Sequence, residues 1–249
     1  MVTTTQFRRF KLGKKRRKEE YMYVSQDNHY QGRKKKVTIL PKSRSQETYI
    51  DALLYSGKSI VFASGPAGTG KTLLAMLSAI KHYKDGAVDK IVMTRPAVGV
   101  DDEKHGFLPG DLNQKMEPWT RPLFDVLHQY YSPRETAKML DEQFIEISPL
   151  AFMRGRTFKN AYIVADEMQN ATPNQMKMLL TRIGEGSKIV VTGDVKQTDR
   201  QVKDNGLLNF VDLVGQCNKE HIELVNFSHN DIERHPAVTE VLSIYGDKD

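Results

Sequence analysis

The sequence predicts an α/β protein built on a doubly wound, mostly parallel sheet, and three observations carry that prediction. Six short runs, SIVFAS, KIVMT, FIEIS, AYIVA, KIVVT and HIELVNF, are near-continuously apolar and rich in β-branched residues, which suits strands covered on both faces. Helical stretches separate them, the alternation that builds parallel sheets with helices on either side. The first run passes at once into a glycine-rich loop and a helix, and such sheets bind their ligands at the carboxyl ends of their strands. A chain of 249 residues is long enough for one large domain of this kind.

In chain order, the first 36 residues come before any of these elements. They hold twelve Lys or Arg against Glu19, Glu20 and Asp27, a net +9, whereas the remaining 25 basic and 28 acidic residues net −3. The formal +6 of the whole chain therefore belongs to an arm, residues 1–36, and the domain proper is expected over 37–249. The arm lacks sustained apolar periodicity, and its KKRRK and RKKK blocks repel themselves, so disorder is expected when it is free. Two roles stay open for it. One is a solubilising tail; the other is an electrostatic anchor for nucleic acid, with Phe7, Phe10, Tyr21, Tyr23 and Tyr30 stacking on bases.

SIVFAS leads into Gly65-Pro66-Ala67-Gly68-Thr69-Gly70-Lys71-Thr72 and then into the helical LLAMLSAIKHY. Strand, G-x-x-x-x-G-K-[ST] and helix are the Walker A loop in its proper setting. Its glycines let successive N–H groups and the helix N-terminus point at the phosphates of ATP. Lys71 is placed to neutralise the β and γ phosphates, and Thr72 to offer a hydroxyl to Mg²⁺. After KIVMT the pattern loosens over about 99–143, where GFLPGD, EPWTRP and YSPRE read as loops between short helices.

AYIVA delivers Asp166 and Glu167 at its carboxyl end. Asp166 is the candidate second ligand for Mg²⁺, and Glu167 the candidate that orients or deprotonates an attacking water. In TPNQMKMLLTRIG, Thr172 is an N-cap, Pro173 takes the first helical position and Gln175 completes a capping box; Met176, Leu179, Leu180 and Ile183 then share a core-facing side. KIVVT ends in GDVKQ, where the neutral amide of Gln197 can sense the γ-phosphate without titrating, although a plain turn explains the segment equally well. The lone Cys217 excludes an intrachain disulfide, the seven histidines show no metal-ligand spacing, and no run reaches the ~18 apolar residues of a membrane span. The expectation is a soluble, cytoplasmic protein with no membrane partner.

Beyond the Walker loop, MTRPAV, GFLPGD with EPWTRPLFD, SPLAFMRGRT, DEMQN, QMKMLLTRIG, GDVKQTD and ERHPAV together resemble the PhoH family over about residues 42–245. These are ATP-binding proteins of bacteria and bacteriophages named for phosphate-starvation induction, which implies a bacterial or phage-infected cell. The segments VGVDDEKH and DRQVKDNGLL match that pattern only loosely. The family's core is similar to the first RecA-like domain of superfamily 1 helicases. That similarity implies a RecA-like P-loop NTPase fold and puts Gln46 where a glutamine amide reads adenine, though a surface glutamine is the plain alternative. It also places Thr94 and Arg95 where a helicase touches its nucleic-acid strand. Such helicases complete the ATP site with an arginine from a second domain, for which this chain has no room. The missing cation is therefore expected from a neighbour in a homo-oligomer, a ring such as a hexamer, with Arg234 the first candidate and Arg154 and Arg156 next; ordinary salt bridges are the alternative for all three. The arm has too few carboxylates for a nuclease, so no RNA cleavage is expected. The resemblance implies a Mg²⁺-dependent, helicase-like ATPase coupled to RNA or single-stranded DNA. The competing class is a nucleotide-dependent assembly or regulatory switch. A small-molecule kinase is disfavoured, because Glu167 and Gln197 suit water rather than a bound acceptor.

Overall fold

The computed structural model describes residues 35–96, 121–197, 205–215, 219–233 and 236–245. The arm up to residue 34, GFLPGD, Trp119, DRQVKD, Cys217 and Arg234 lie outside the described residues. The six apolar runs are the six strands: β1 (Ile60–Ser64), β2 (Lys90–Thr94), β3 (Ile145–Ile147), β4 (Ala161–Ala165), β5 (Lys188–Gly193) and β6 (Ile222–Asn226). They form one parallel sheet in the order β3-β2-β4-β5-β1-β6, with Val61 in register with Val190 and Glu223, and Val92 with Ile163 and Glu146.

Successive side chains of a strand point to opposite faces, so each strand supplies two cores. Val61, Ala63, Ile91, Met93 and Val164 enter one apolar cluster, and Ile60, Phe62, Val92, Ile163 and Ala165 enter the other. The first is covered by α1 (Arg44–Leu54) and α2 (Lys71–Lys84), together with a helical segment at 121–127 (α3) and α4 (Pro133–Asp141). The second is covered by α5 (Pro173–Leu180) and α6 (Gly206–Val214); α7 (Pro236–Tyr245) is the last helix. Helices therefore lie on both faces, and the doubly wound, parallel α/β fold expected from the sequence is the one adopted. β5 lies between the strand that enters the Walker loop and the strand that ends in Asp166, which leaves a crevice at the carboxyl edge.

Four local expectations change. The strand pattern predicts cover on both faces for HIELVNF, but β6 is an edge strand and Ile222, Glu223 and Leu224 are half-buried. YSPRE does not simply punctuate a loop: Ser132 caps α4, Pro133 takes its first position, and the Glu135 carboxylate accepts from the Ser132 N–H at 2.7 Å. Thr172, Pro173 and Gln175 open α5 by the same device, as predicted. However, α5 ends at Leu180, so Ile183 lies past the helix and bridges in parallel to Phe158. Finally, α1 precedes the predicted alternation. The Ser43 hydroxyl accepts from the Gln46 N–H at 3.2 Å, and Tyr49 and Leu53 are fully buried, Tyr49 edge-on to Phe227. Among the described residues, no helix is long and apolar enough to cross a membrane.

Candidate functional site

One wall of the crevice is the loop between β1 and α2. Gly65 has φ of +146°, and a Cβ there would stand 2.4 Å from the Phe227 carbonyl oxygen. Only glycine permits that approach, because the chain leaving β6 lies directly on the loop; the Phe227 N–H donates to the Ser64 carbonyl at 2.7 Å. Gly70, left-handed at φ of +82°, turns the chain into α2 against the side chain of Gln46. Gln46 is buried behind the loop. Its Nε2 donates to the Thr69 carbonyl at 3.1 Å, and its Oε1 accepts from the Lys42 N–H at 2.9 Å. Beyond these bonds, its carboxamide has one N–H and one lone pair for any adenine contact. The Glu233 N–H donates to the Gly68 carbonyl of its own chain at 3.0 Å.

Lys71 begins α2, and its ammonium folds back onto the loop. It donates to the carbonyls of Gly65 and Pro66 at 2.7 and 2.6 Å and to the Thr69 hydroxyl at 3.2 Å. Burial lowers its pKa, while the nearby charges of Asp194, Asp166 and Glu167 pull in the opposite direction. The loop carbonyls thus hold a cation that an arriving phosphate would draw away, since an ionised oxygen is the stronger acceptor.

The facing wall is acidic and comes from the ends of β4 and β5. Asp166 Oδ1 accepts from the Thr72 hydroxyl at 2.8 Å and from the Thr192 hydroxyl, which places the two predicted metal ligands side by side. Glu167 follows in the left-handed region at φ of 54° and ψ of 37°, a rare conformation for a residue with a side chain. Its Oε1 is 3.2 Å from an Arg95 guanidinium nitrogen, and its Oε2 accepts from Gln169 Nε2 at 2.6 Å. Gln169 is buried, and its own Oε1 accepts the Asp194 N–H at 3.2 Å. One carboxamide therefore joins the end of β4 to the end of β5. Gln197 is exposed one turn further, its N–H donating to the Asp194 carbonyl.

Between the walls is a cleft of about 310 Å³, lined by Ala67, Gly68, Gly70, Lys71, Thr72, Leu73, Asp166, Glu167, Gly193, Asp194 and Gln197. The fold brings Lys71, Thr72, Asp166, Glu167 and Gln197 together there from positions 126 residues apart in the chain. Gln46 braces the loop from behind instead of lining the cleft. Arg156 forms a bidentate pair with Glu146 and stacks on Phe158, which commits it within its own chain; Arg154 is exposed. Sequence reasoning had placed Arg95 on a nucleic-acid strand and missed both its pairing with Glu167 and the bridging role of Gln169. The signal available for Gln169 was its place two residues after Glu167 in DEMQN.

A polar loop aimed at one end of the cleft, with a cation, a hydroxyl–carboxylate pair and a second carboxylate, defines a P-loop NTPase. A family profile described as "PhoH-like protein" matches residues 38–246. The PhoH-like protein of Bacillus subtilis is 41% identical over 237 residues, covering 94% of this chain and 72% of its own length. The PhoH-like protein of Mycobacterium tuberculosis H37Rv is 46% identical over 209 residues, 84% of this chain but 58% of that relative. Protein PhoH of Escherichia coli K12 is 41% identical over 169 residues, 65% of this chain and 45% of its own. The chain belongs to the PhoH-like protein family, and it spans only part of the length of these relatives. Among solved structures, the UvsW helicase of bacteriophage T4 superposes with a TM-score of 0.45 at 13% identity over 76% of this chain and 60% of that one. The Pif1 helicase of Candida albicans superposes with a TM-score of 0.40 at 16% identity over 84% of this chain and 44% of that one.

Proposed function

We propose that the protein is a Mg²⁺-dependent ATPase whose turnover is coupled to RNA or single-stranded DNA. The observation that carries the ATPase reading is the Thr72–Asp166 pair at 2.8 Å, held between Lys71 and Glu167 in one cleft. A hydroxyl beside a carboxylate fits a hard cation that keeps most of its waters and takes its other ligands from phosphate. When bound, Mg²⁺ neutralises charge on the transferred phosphoryl group. Lys71 and the loop N–H groups hold the phosphates. Glu167 takes the proton of the attacking water, the new P–O bond forms at the γ-phosphorus, and the electron pair of the broken bond leaves with ADP. Gln197 donates to the γ-phosphate side without titrating. The support for nucleic-acid coupling is the +9 arm over 1–36, which acts as a tether for a polyanion, together with Arg95 at the carboxyl edge.

The test is phosphate release from ATP and Mg²⁺, with and without single-stranded RNA, over a salt series. Glu167→Gln is expected to slow turnover by about 10² to 10⁴ while retaining ATP binding. RNA is expected to accelerate the whole chain, less so as salt rises, and to lose that effect once residues 1–36 are removed. A full-length protein whose turnover ignores RNA and single-stranded DNA at low salt ends the coupling reading. A Glu167→Gln protein that turns over normally ends the assignment of the base.

A further inference from the structure

Both oxygens of the Glu167 carboxylate are engaged: Oε1 by Arg95 at 3.2 Å and Oε2 by Gln169 at 2.6 Å. Each oxygen keeps a second lone pair for the water that a general base deprotonates, so what the two contacts restrain is the orientation of the carboxylate. Its two partners differ. Gln169 is buried and fixed by Asp194, whereas the Arg95 side chain is 31% exposed. Arg95 directly follows β2, and its carbonyl accepts from the Leu150 N–H at 3.4 Å. That contact sets it beside the short turn Leu150–Met153, where Phe152 is 60% exposed and is followed by the exposed Arg154. An exposed aromatic ring in the turn that contacts the Arg95 main chain, with the exposed Arg154 two residues on, is suited to a stacked base and its phosphates.

We infer that Arg95 is a positioning residue that holds Glu167 back, and that a single-stranded nucleic-acid phosphate arriving at this edge competes for the guanidinium and releases the carboxylate. Guanidinium forks bind phosphate and carboxylate by the same bidentate geometry, so the exchange replaces one strong partner with another. Glu167 holds a left-handed backbone, rare for a residue with a side chain, and the Thr94 hydroxyl, one residue before Arg95, is buried without a hydrogen-bond partner. This inference rests on the ATPase reading above and specifies how nucleic acid would reach the cleft.

The experiment compares the full-length chain with Arg95→Gln and Arg95→Lys, measuring steady-state ATP turnover with and without a single-stranded RNA oligomer, and binding of a fluorescent ATP analogue. In Arg95→Gln, RNA-free kcat is expected to rise about two- to five-fold, the range a partly exposed ion pair can hold. KM for ATP and analogue affinity are expected to stay at wild-type values, and RNA is expected to add correspondingly less. Arg95→Lys keeps the pair and is expected to keep the low RNA-free rate. An Arg95→Gln protein that binds the analogue normally but has an unchanged or lower RNA-free kcat overturns the inference. A wild type that hydrolyses ATP yet ignores RNA overturns the coupling reading and, with it, the release step; Glu167 restraint is then decided by the RNA-free rates alone.

Discussion

The two walls of the cleft are held in different ways. The Walker wall is fixed at its main chain from behind: Gly65 fits under the Phe227 carbonyl, Glu233 donates its N–H to the Gly68 carbonyl, and the buried side chain of Gln46 donates to the Thr69 carbonyl. The acidic wall is fixed through side chains. Glu167 relies on Arg95 and Gln169, Asp166 on Thr72 and Thr192, and the two strand ends are joined by a single carboxamide. Main-chain contacts within a packed core have no alternative partner, whereas side-chain pairs at a crevice can be exchanged with a ligand. The first wall is built to bind the same anion every time, and the second to respond to what is bound.

Breaking the stiff wall should have the largest effect. A methyl group at Gly65 meets backbone atoms and the Phe227 Cβ at 2.7 Å, none of which can swing aside. Gly65→Ala should destabilise the protein by about 1–3 kcal/mol, lowering Tm by about 2–4 °C for each of them, and should abolish measurable ATP affinity. Thermal melts and analogue titration check both, and wild-type ATP affinity in this variant would mean the wall is not stiff.

Cutting the link in the responsive wall should act on rate more than on binding. Gln169→Leu removes the bond to Glu167 and the acceptor for the buried Asp194 N–H. One unpaired buried group costs about 1–3 kcal/mol, and kcat should fall about ten-fold or more while KM for ATP is little changed. A fall in ATP affinity with kcat preserved would place Gln169 with the binding wall.

The smallest effect is a control at the far end of β5. Lys188 donates to the carbonyls of Ala52 and Leu53 at 3.2 and 2.7 Å, and burial lowers its pKa from 10.5 to about 8. Between these values the unfolded chain holds the proton and the folded chain does not. Unfolding therefore takes up a proton, and stability rises with pH across that window. In Lys188→Met this rise should be missing, with ATP turnover at neutral pH unaffected. Equal Tm–pH slopes from pH 8 to 10.5 in both proteins would show that Lys188 is not the source.

Much of the fold was legible because its signals are local. Six apolar runs became six strands, and the capping box at Thr172 was read correctly from three residues. The same box at Ser132 was missed because Pro133 had been weighed as a breaker, although the first helical turn tolerates proline. β6 was read as covered because its composition matches that of the central strands, and edge position is a property of strand order, not of the strand. Helix α1 was missed because it stands ahead of the first strand, outside the strand–helix alternation, although Tyr49 and Leu53 are fully buried against the sheet.

For the site, the sequence alone determined the chemistry available: a phosphate loop with Lys71 and Thr72, two carboxylates at a strand end, and an amide in GDVKQ. Each is a contiguous motif whose spacing follows from one strand, turn or helix. Tertiary structure alone decided what those groups touch. It inserted β5 between β1 and β4, which set Thr72 against Asp166 across 94 positions of chain. It turned Gln46 onto the loop, gave Gln169 two strand ends to join, and brought Arg95 from β2 onto Glu167. The physical reason is that residue type follows local geometry, whereas contact between strand ends follows from strand order, and strand order is set by how every helix packs on both faces of the sheet.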